Sequence, residues 1–206
     1  MTNSKHHHSQ NKPSARQLEV LREMAAERGL AFLVKGQAKK GEGNGHFGGD
    51  LYTHSLALMA VCDACRIGKD DGLKASAQAG LGWLLRAQHE GGGWRYSPRT
   101  SGDTSVTGFA IRALAAARRA GLAVPARVWK AAQGYLDAVE LRRGEYSYLP
   151  GGAEPAPAVT AVGNYCRLLL GTHLRSRSLT LGAGTVRSFS HIAYTPACVY
   201  RIYYST

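Results

Sequence analysis

Residues 79–94 read A-G-L-G-W-L-L-R-A-Q-H-E-G-G-G-W, from Ala79 to Trp94. The stretch is the last turns of an amphipathic helix, a glycine turn, and a tryptophan that begins a new element. The same arrangement occurs twice more. Residues 28–37 read R-G-L-A-F-L-V-K-G-Q, followed by a longer glycine-rich spacer and Gly45-His46-Phe47; residues 132–146 read A-Q-G-Y-L-D-A-V-E-L-R-R-G-E-Y. The aromatic near each helix end falls at Phe32, Trp83 and Tyr135, at intervals of 51 and 52 residues. The polar residue five positions later, Gln37, Gln88 or Glu140, keeps the same intervals. A fixed period near 50 residues is the mark of a repeat architecture.

At 206 residues the chain is long enough for one domain with a sizeable core. Lys and Arg outnumber Asp and Glu by 26 to 14, a formal net charge of +12. Such a balance favours anionic partners or a solvated basic surface. The basic residues are scattered (Lys39-Lys40, Arg118-Arg119, Arg142-Arg143) and belong to no nucleic-acid module, so no nucleic-acid partner is expected. No long apolar run suits a membrane span and charges interrupt residues 1–35, so no secretory leader is expected. Four cysteines, at 62, 65, 166 and 198, are too few for a disulfide framework in a chain of this size. The expected setting is the cytoplasm, with peripheral membrane contact left open.

Taken in order, residues 1–13 read as a polar lead-in. Ser14 to about Val34 is an amphipathic helix carrying Leu18, Leu21, Met24, Ala25 and Phe32, and residues 35–49 are a glycine-rich loop. Leu51 to about Ile67 is apolar almost all round and calls for burial on every side. The alternation then repeats: an amphipathic helix over about 73–88, a mostly apolar one over about 104–117, and an amphipathic one with Val128, Trp129, Ala132, Tyr135, Leu136 and Val139 on one face. Pro125 suits the start of that helix. A third apolar helix follows over about 159–170, and Thr53, Thr107 and Thr160 mark a register among the apolar helices at 54 and 53 residues. Striped and all-round-apolar helices in alternation imply two layers, because no hairpin can bury its own hydrophobic face. The expected fold is all-α, an α/α toroid over residues 14–173 forming an incomplete ring of about three to four hairpins, with 174–206 a degenerate tail.

The repeat resembles the glutamine–tryptophan repeat of squalene and related terpenoid cyclases. Gly80, Trp83, Leu84, Gln88, Gly92 and Trp94 follow that pattern, with Ala79 at its basic first position. Arg28, Gly29, Phe32, Leu33, Gln37, Gly45 and Phe47 follow it with a longer spacer, and Ala132, Tyr135, Leu136, Glu140, Gly144 and Tyr146 with Glu for Gln. The resemblance covers about residues 15–171, and protein prenyltransferase β-subunits are similar to the same toroid. It implies an isoprenoid or other apolar small molecule as ligand, bound or cyclised in an apolar interior. The alternative is a non-catalytic binding or scaffold toroid, and a second copy or subunit could complete the ring. Gln37, Phe47, Gln88, Trp94, Glu140 and Tyr146 are the structural repeat positions, whose amides can bond exposed backbone groups at a helix end.

The chemistry is less complete than the architecture. Cyclases of this class protonate an alkene through D-x-D-D, and Ser101-Gly102-Asp103-Thr104 keeps one aspartate. A solvated carboxyl with a pKa of about 3.9 is a poor donor at neutral pH, and Asp103 also suits the cap of the helix beginning at Thr104. Trp94, Tyr96, Phe109, Tyr148 and Tyr165 are candidate substrate-binding rings through their π faces, or simply core. Prenyltransferases bind zinc through Asp, Cys and His. Asp50 and His54 could share a helix face, but Cys62 lies about 12 Å further along it, so no metal and no cofactor is expected. Cys62 and Cys65 read as buried small hydrophobes.

Overall fold

The computed structural model describes residues 14–68 and 70–188. The lead-in at 1–13 and the last part of the tail, 189–206, lie outside the described residues. The fold is all-α. Seven helices occur among the described residues: α1 (Ala15–Gly36), α2 (Leu51–Gly68), α3 (Asp71–Arg86), α4 (Thr104–Arg119), α5 (Ala126–Val139), α6 (Pro157–Leu169) and α7 (Arg177–Ser188). A short antiparallel hairpin, β1 (Glu140–Arg142) with β2 (Glu145–Tyr146), stands where the sequence suggests a plain loop. None of the helices is long and apolar enough to cross a membrane, among the described residues.

The three helices that the sequence reads as apolar all round form a row, α2 against α4 and α4 against α6, while α1, α3, α5 and α7 flank it. Position in the row decides how much each helix buries. Helix α4, in the middle, buries 12 of its 16 residues, and its crowded side is built from Ala110, Ala113, Ala116 and Ala117, small enough for close approach. Helix α5 buries Val128, Ala132, Tyr135, Leu136 and Val139, the expected stripe; Trp129 lies at its edge under the Arg118 guanidinium, 5.1 Å away. Cys62 and Cys65 are buried free thiols on α2, and burial pushes the Cys62 thiol up to about 12.

Local chemistry starts each helix. Ser14 and Gln17 form a capping box on α1, Asp70 caps α3 through the amides of Gly72 and Leu73, and Asp103 caps α4 through Val106. Asp50 does the same for α2, its Oδ1 accepting the Thr53 amide at 2.8 Å and hydroxyl at 2.9 Å. Pro157 occupies the first turn of α6, and Pro125 sits one position before α5.

Two differences from the sequence reading concern the ends. Helix α1 has its expected span yet buries no residue, and Phe32 is 77% exposed although its repeat counterparts Trp83 and Tyr135 are buried. The reason lies in what those counterparts pack on. Trp83 stacks on His46, and Tyr135 covers Gly93 and Gly102, both in the loop of the preceding hairpin. Phe32 has no preceding hairpin among the described residues. At the other end, residues 177–188, within the stretch read as a degenerate tail, form α7, which packs on α6 as the flanking helix of a further repeat.

The hairpins meet at a recurring glycine. Gly45, Gly92 and Gly144 all adopt positive φ, at 94°, 84° and 80°. A Cβ at each would collide with a main-chain carbonyl of the next flanking helix, that of Ala79, Ala131 or Ser178. Both the backbone conformation and the close approach therefore demand glycine. Gly121, with φ 78° and open space around it, supplies a control. Gly121→Ala should cost about 1–2 kcal/mol from the left-handed conformation alone. Gly92→Ala should cost at least about twice that, because collision adds to strain. Midpoints of urea unfolding for the two variants measure the difference.

Candidate functional site

The repeat residues assemble as joints. Gln37 donates through Nε2 to the carbonyls of Gly45 (3.0 Å) and Ser76 (2.9 Å), and its Oε1 accepts from the Ser76 hydroxyl. Gln88 repeats the first two bonds with Gly92 (2.9 Å) and Val128 (3.3 Å). Each amide thus ties its own turn to an early carbonyl of the next flanking helix. Glu140 has no proton to donate, and the third joint is rewired around it. Its Oε1 accepts the Gly144 amide and its Oε2 the Arg167 guanidinium, both at 2.8 Å. Asn164 takes over the donor role to the Gly144 carbonyl at 2.8 Å. Arg167 also pairs with Asp137 and bonds the Tyr146 hydroxyl; these partners together raise its pKa against the opposing effect of burial.

The aromatic that ends each joint hangs from a row helix. The Trp94 amide donates to Thr107 Oγ1 at 2.9 Å, and the Tyr146 amide to Thr160 Oγ1 at 3.1 Å. In the first joint the Phe47 amide donates to His54 Nδ1 at 3.3 Å, while His54 Nε2 lies 3.1 Å from the Gly80 carbonyl. Those partners assign the proton to Nε2. The register expected from Thr53, Thr107 and Thr160 is therefore corrected: His54, Thr107 and Thr160 are the equivalent residues, spaced 53 and 53. A neutral imidazole serves as an acceptor where the other repeats use a hydroxyl. Both nitrogens of His54 have protein partners and Asp50 is a helix cap, so this pair does not form a metal site. Among the described residues no group of three metal-binding side chains occurs.

The expected ligand-binding rings divide. Trp94 is fully buried with its indole N–H on the Leu84 carbonyl at 3.0 Å, and it belongs to the core with Tyr146 and Phe47. Tyr96 and Tyr148 occupy equivalent positions two residues past Trp94 and Tyr146 and stay partly exposed. Their carbonyls receive the first amides of the preceding row helices, Leu51 and Thr104. Burial, with the neighbouring Asp103 charge, pushes the Tyr148 hydroxyl up to about 12. Tyr165 is half-buried on the open side of the row, whereas Phe109 is buried, with Tyr52 leaning on it at 4.1 Å. The Arg112 guanidinium lies over both rings, 5.6 Å from Phe109 and 5.7 Å from Tyr165. Met59, Arg112 and Tyr165 share one level at intervals of 53 residues. The same 53-residue register places Arg112 level with Tyr165, in mid-helix and away from the cap residues at the helix ends. Asn164 and Arg167 carried no signal, because nothing in the sequence ties them to a joint 20 or more residues away.

Asp103 is completely buried. Its Oδ1 accepts the Val106 amide at 2.8 Å; its Oδ2 makes no hydrogen bond and lies 3.8 Å from Arg95 Nε. Burial raises its pKa against the lowering effects of the Val106 bond, of Arg95 and of hydrogen bonds from Ser105. No protein-family model matches the chain, and no curated protein matches it.

His54 gives the first joint a dependence on acid. Burial first, then the neighbouring His46, lowers its pKa to about 3, with the Gly80 bond opposing. An unfolded histidine titrates near 6.5, so below that pH the unfolded chain takes up a proton the folded chain refuses. Stability from this residue is complete above about pH 6.5, falls by about 1.4 kcal/mol per pH unit as pH drops, and levels off below about pH 3. His54→Thr, which copies the other two joints, should remove that slope. Urea unfolding of both chains between pH 7 and 4 should show their free-energy difference changing at about that rate.

Proposed function

We propose that the chain is a segment of an α/α toroid of the terpenoid cyclase type, and that it binds an isoprenoid or similar apolar molecule without cyclising it. The joints support the architecture, since glycine, amide and aromatic perform the same task at successive hairpins. One observation carries the functional reading: Arg112 lies among the rings of the open face. Tyr52, Leu56, Met59 and Tyr165, half-buried or exposed, offer apolar and aromatic surface there, suited to a prenyl chain. A carbocation within about 6 Å of a guanidinium would be disfavoured by about 3 kcal/mol at an effective dielectric of 20. The rings that would stabilise such a cation already face Arg112.

A second reading rests on Asp103. A buried carboxyl with a raised pKa and an unbonded oxygen has the attributes of a general acid. Its other oxygen is committed to the cap of α4, and it lacks the neighbouring aspartates of the cyclase motif.

Incubation with squalene and, separately, with farnesyl diphosphate tests both readings by mass spectrometry and by retention of ligand on the protein. Retention of unchanged ligand is the expected result, with Tyr165→Ala, at a half-buried ring, weakening it. A cyclised product that disappears in Asp103→Asn would replace the binding reading with the catalytic one. Neither retention nor product would leave the scaffold role.

A further inference from the structure

Loop lengths at the first joint open a cleft between the hairpin tops. Three positions separate Phe47 from the cap Asp50, whereas nine separate Trp94 from the cap Asp103. In the second hairpin the extra residues fold back, and Gly102 packs against Gly93 and Tyr135. In the first hairpin that filling is missing. Ten positions also separate Gln37 from Phe47, against six between Gln88 and Trp94, and the added turn raises a wall at Glu42 and Gly43. The result is a cleft of about 520 Å³ between the first two hairpin tops.

Its chemistry is mixed in a directed way. His46 lies parallel to Trp83, with ring centroids 4.0 Å apart, and its buried Nε2 has no hydrogen-bond partner. Tyr96, about half exposed, lines the cleft as well. Arg86 and Arg99 stand at its edge. Arg86 is braced by a 2.7 Å bond to the Asn44 carbonyl in the added turn. Arg99 has a φ of 57°, the only positive φ outside glycine among the described residues, and its amide is anchored on the Ala87 carbonyl at 2.9 Å. Of the two carboxylates present, Asp50 is engaged by Thr53 at the positive end of α2, which leaves Glu42 uncommitted against two guanidiniums. Aromatic walls and excess guanidinium together suit a flat ring bearing an anion.

We infer that this cleft is a binding site for a planar aromatic molecule carrying a phosphate or carboxylate, the ring held against Tyr96 and the His46–Trp83 stack and the anion by Arg86 and Arg99. The site is separate from the open face of the row and does not depend on the isoprenoid reading. The test titrates the full chain with adenosine monophosphate and with 4-hydroxyphenylacetate, using adenosine and 4-hydroxyphenylacetamide as uncharged counterparts, followed by calorimetry. Saturable binding of either anion, with its uncharged counterpart roughly tenfold weaker or more, is the expected result, and which anion binds identifies the source. Arg99→Gly relieves the strained backbone, so it should keep or raise the melting temperature while weakening the anion roughly tenfold. Glu42→Arg should tighten binding, a gain that misfolding cannot produce. The inference is overturned if neither anion saturates, if the uncharged counterparts bind equally well, or if Arg99→Gly and Glu42→Arg both leave affinity unchanged.

Discussion

The structure depends on the approach of a backbone to a backbone. At each joint a glycine with positive φ brings its turn against a carbonyl of the next flanking helix, closer than any side chain would allow. The amide of Gln37 or Gln88 can reach that helix only because the glycine has closed the gap. The following aromatic can then drop into the row, where its own amide finds His54, Thr107 or Thr160. Burial of Trp94 and Tyr146 is thus a consequence of the turn as much as of hydrophobicity. A ring of that size without a fixed backbone entry would have no single position in a core of alanines and leucines.

Much of this was legible in the sequence because the joint concentrates its requirements in few residues at a constant interval. The 51- and 52-residue spacings of Phe32, Trp83 and Tyr135 located the flanking helices. The all-round apolarity of residues 51–67 and 104–117 located the row. What escaped was whatever one chemical group could do in place of another. His54 was hidden by the neighbouring Thr53, since a threonine register looked complete without it. Asn164 and Arg167 compensate for Glu140 from a different helix, and no local pattern records a donor lost in one place and regained 24 residues later. Helix α7 was missed because it carries no glutamine or aromatic of its own, although Ser178 and Gly182 receive the third turn as Ala79 and Ala131 neighbours receive the others.

The candidate sites were legible to a smaller degree. Sequence singled out Asp103 as cap and weak acid, and the geometry gives it the cap together with an environment that raises its pKa. It grouped the aromatics by family resemblance, whereas packing buries both Trp94 and Phe109 in the core and leaves Tyr165 half-buried, with Arg112 over the Phe109 and Tyr165 rings. A guanidinium between two rings changes the electrostatic character of that face from cation-stabilising to cation-bearing. The distinction rests on side-chain direction, which intervals along a helix convey only after the register is known.

Because the joints fasten mostly onto main-chain atoms of the next flanking helix, that helix contributes a path rather than a sequence. The carbonyls of Ser76, Val128, Ala79 and Ala131 would be in place with many other side chains there, provided the helix ran at the same distance. Each hairpin therefore carries its own latch and requires only a generic surface from its successor. Units of this kind can be duplicated, exchanged or allowed to drift while still connecting, and diversity can accumulate in the loops between latches without loosening the chain.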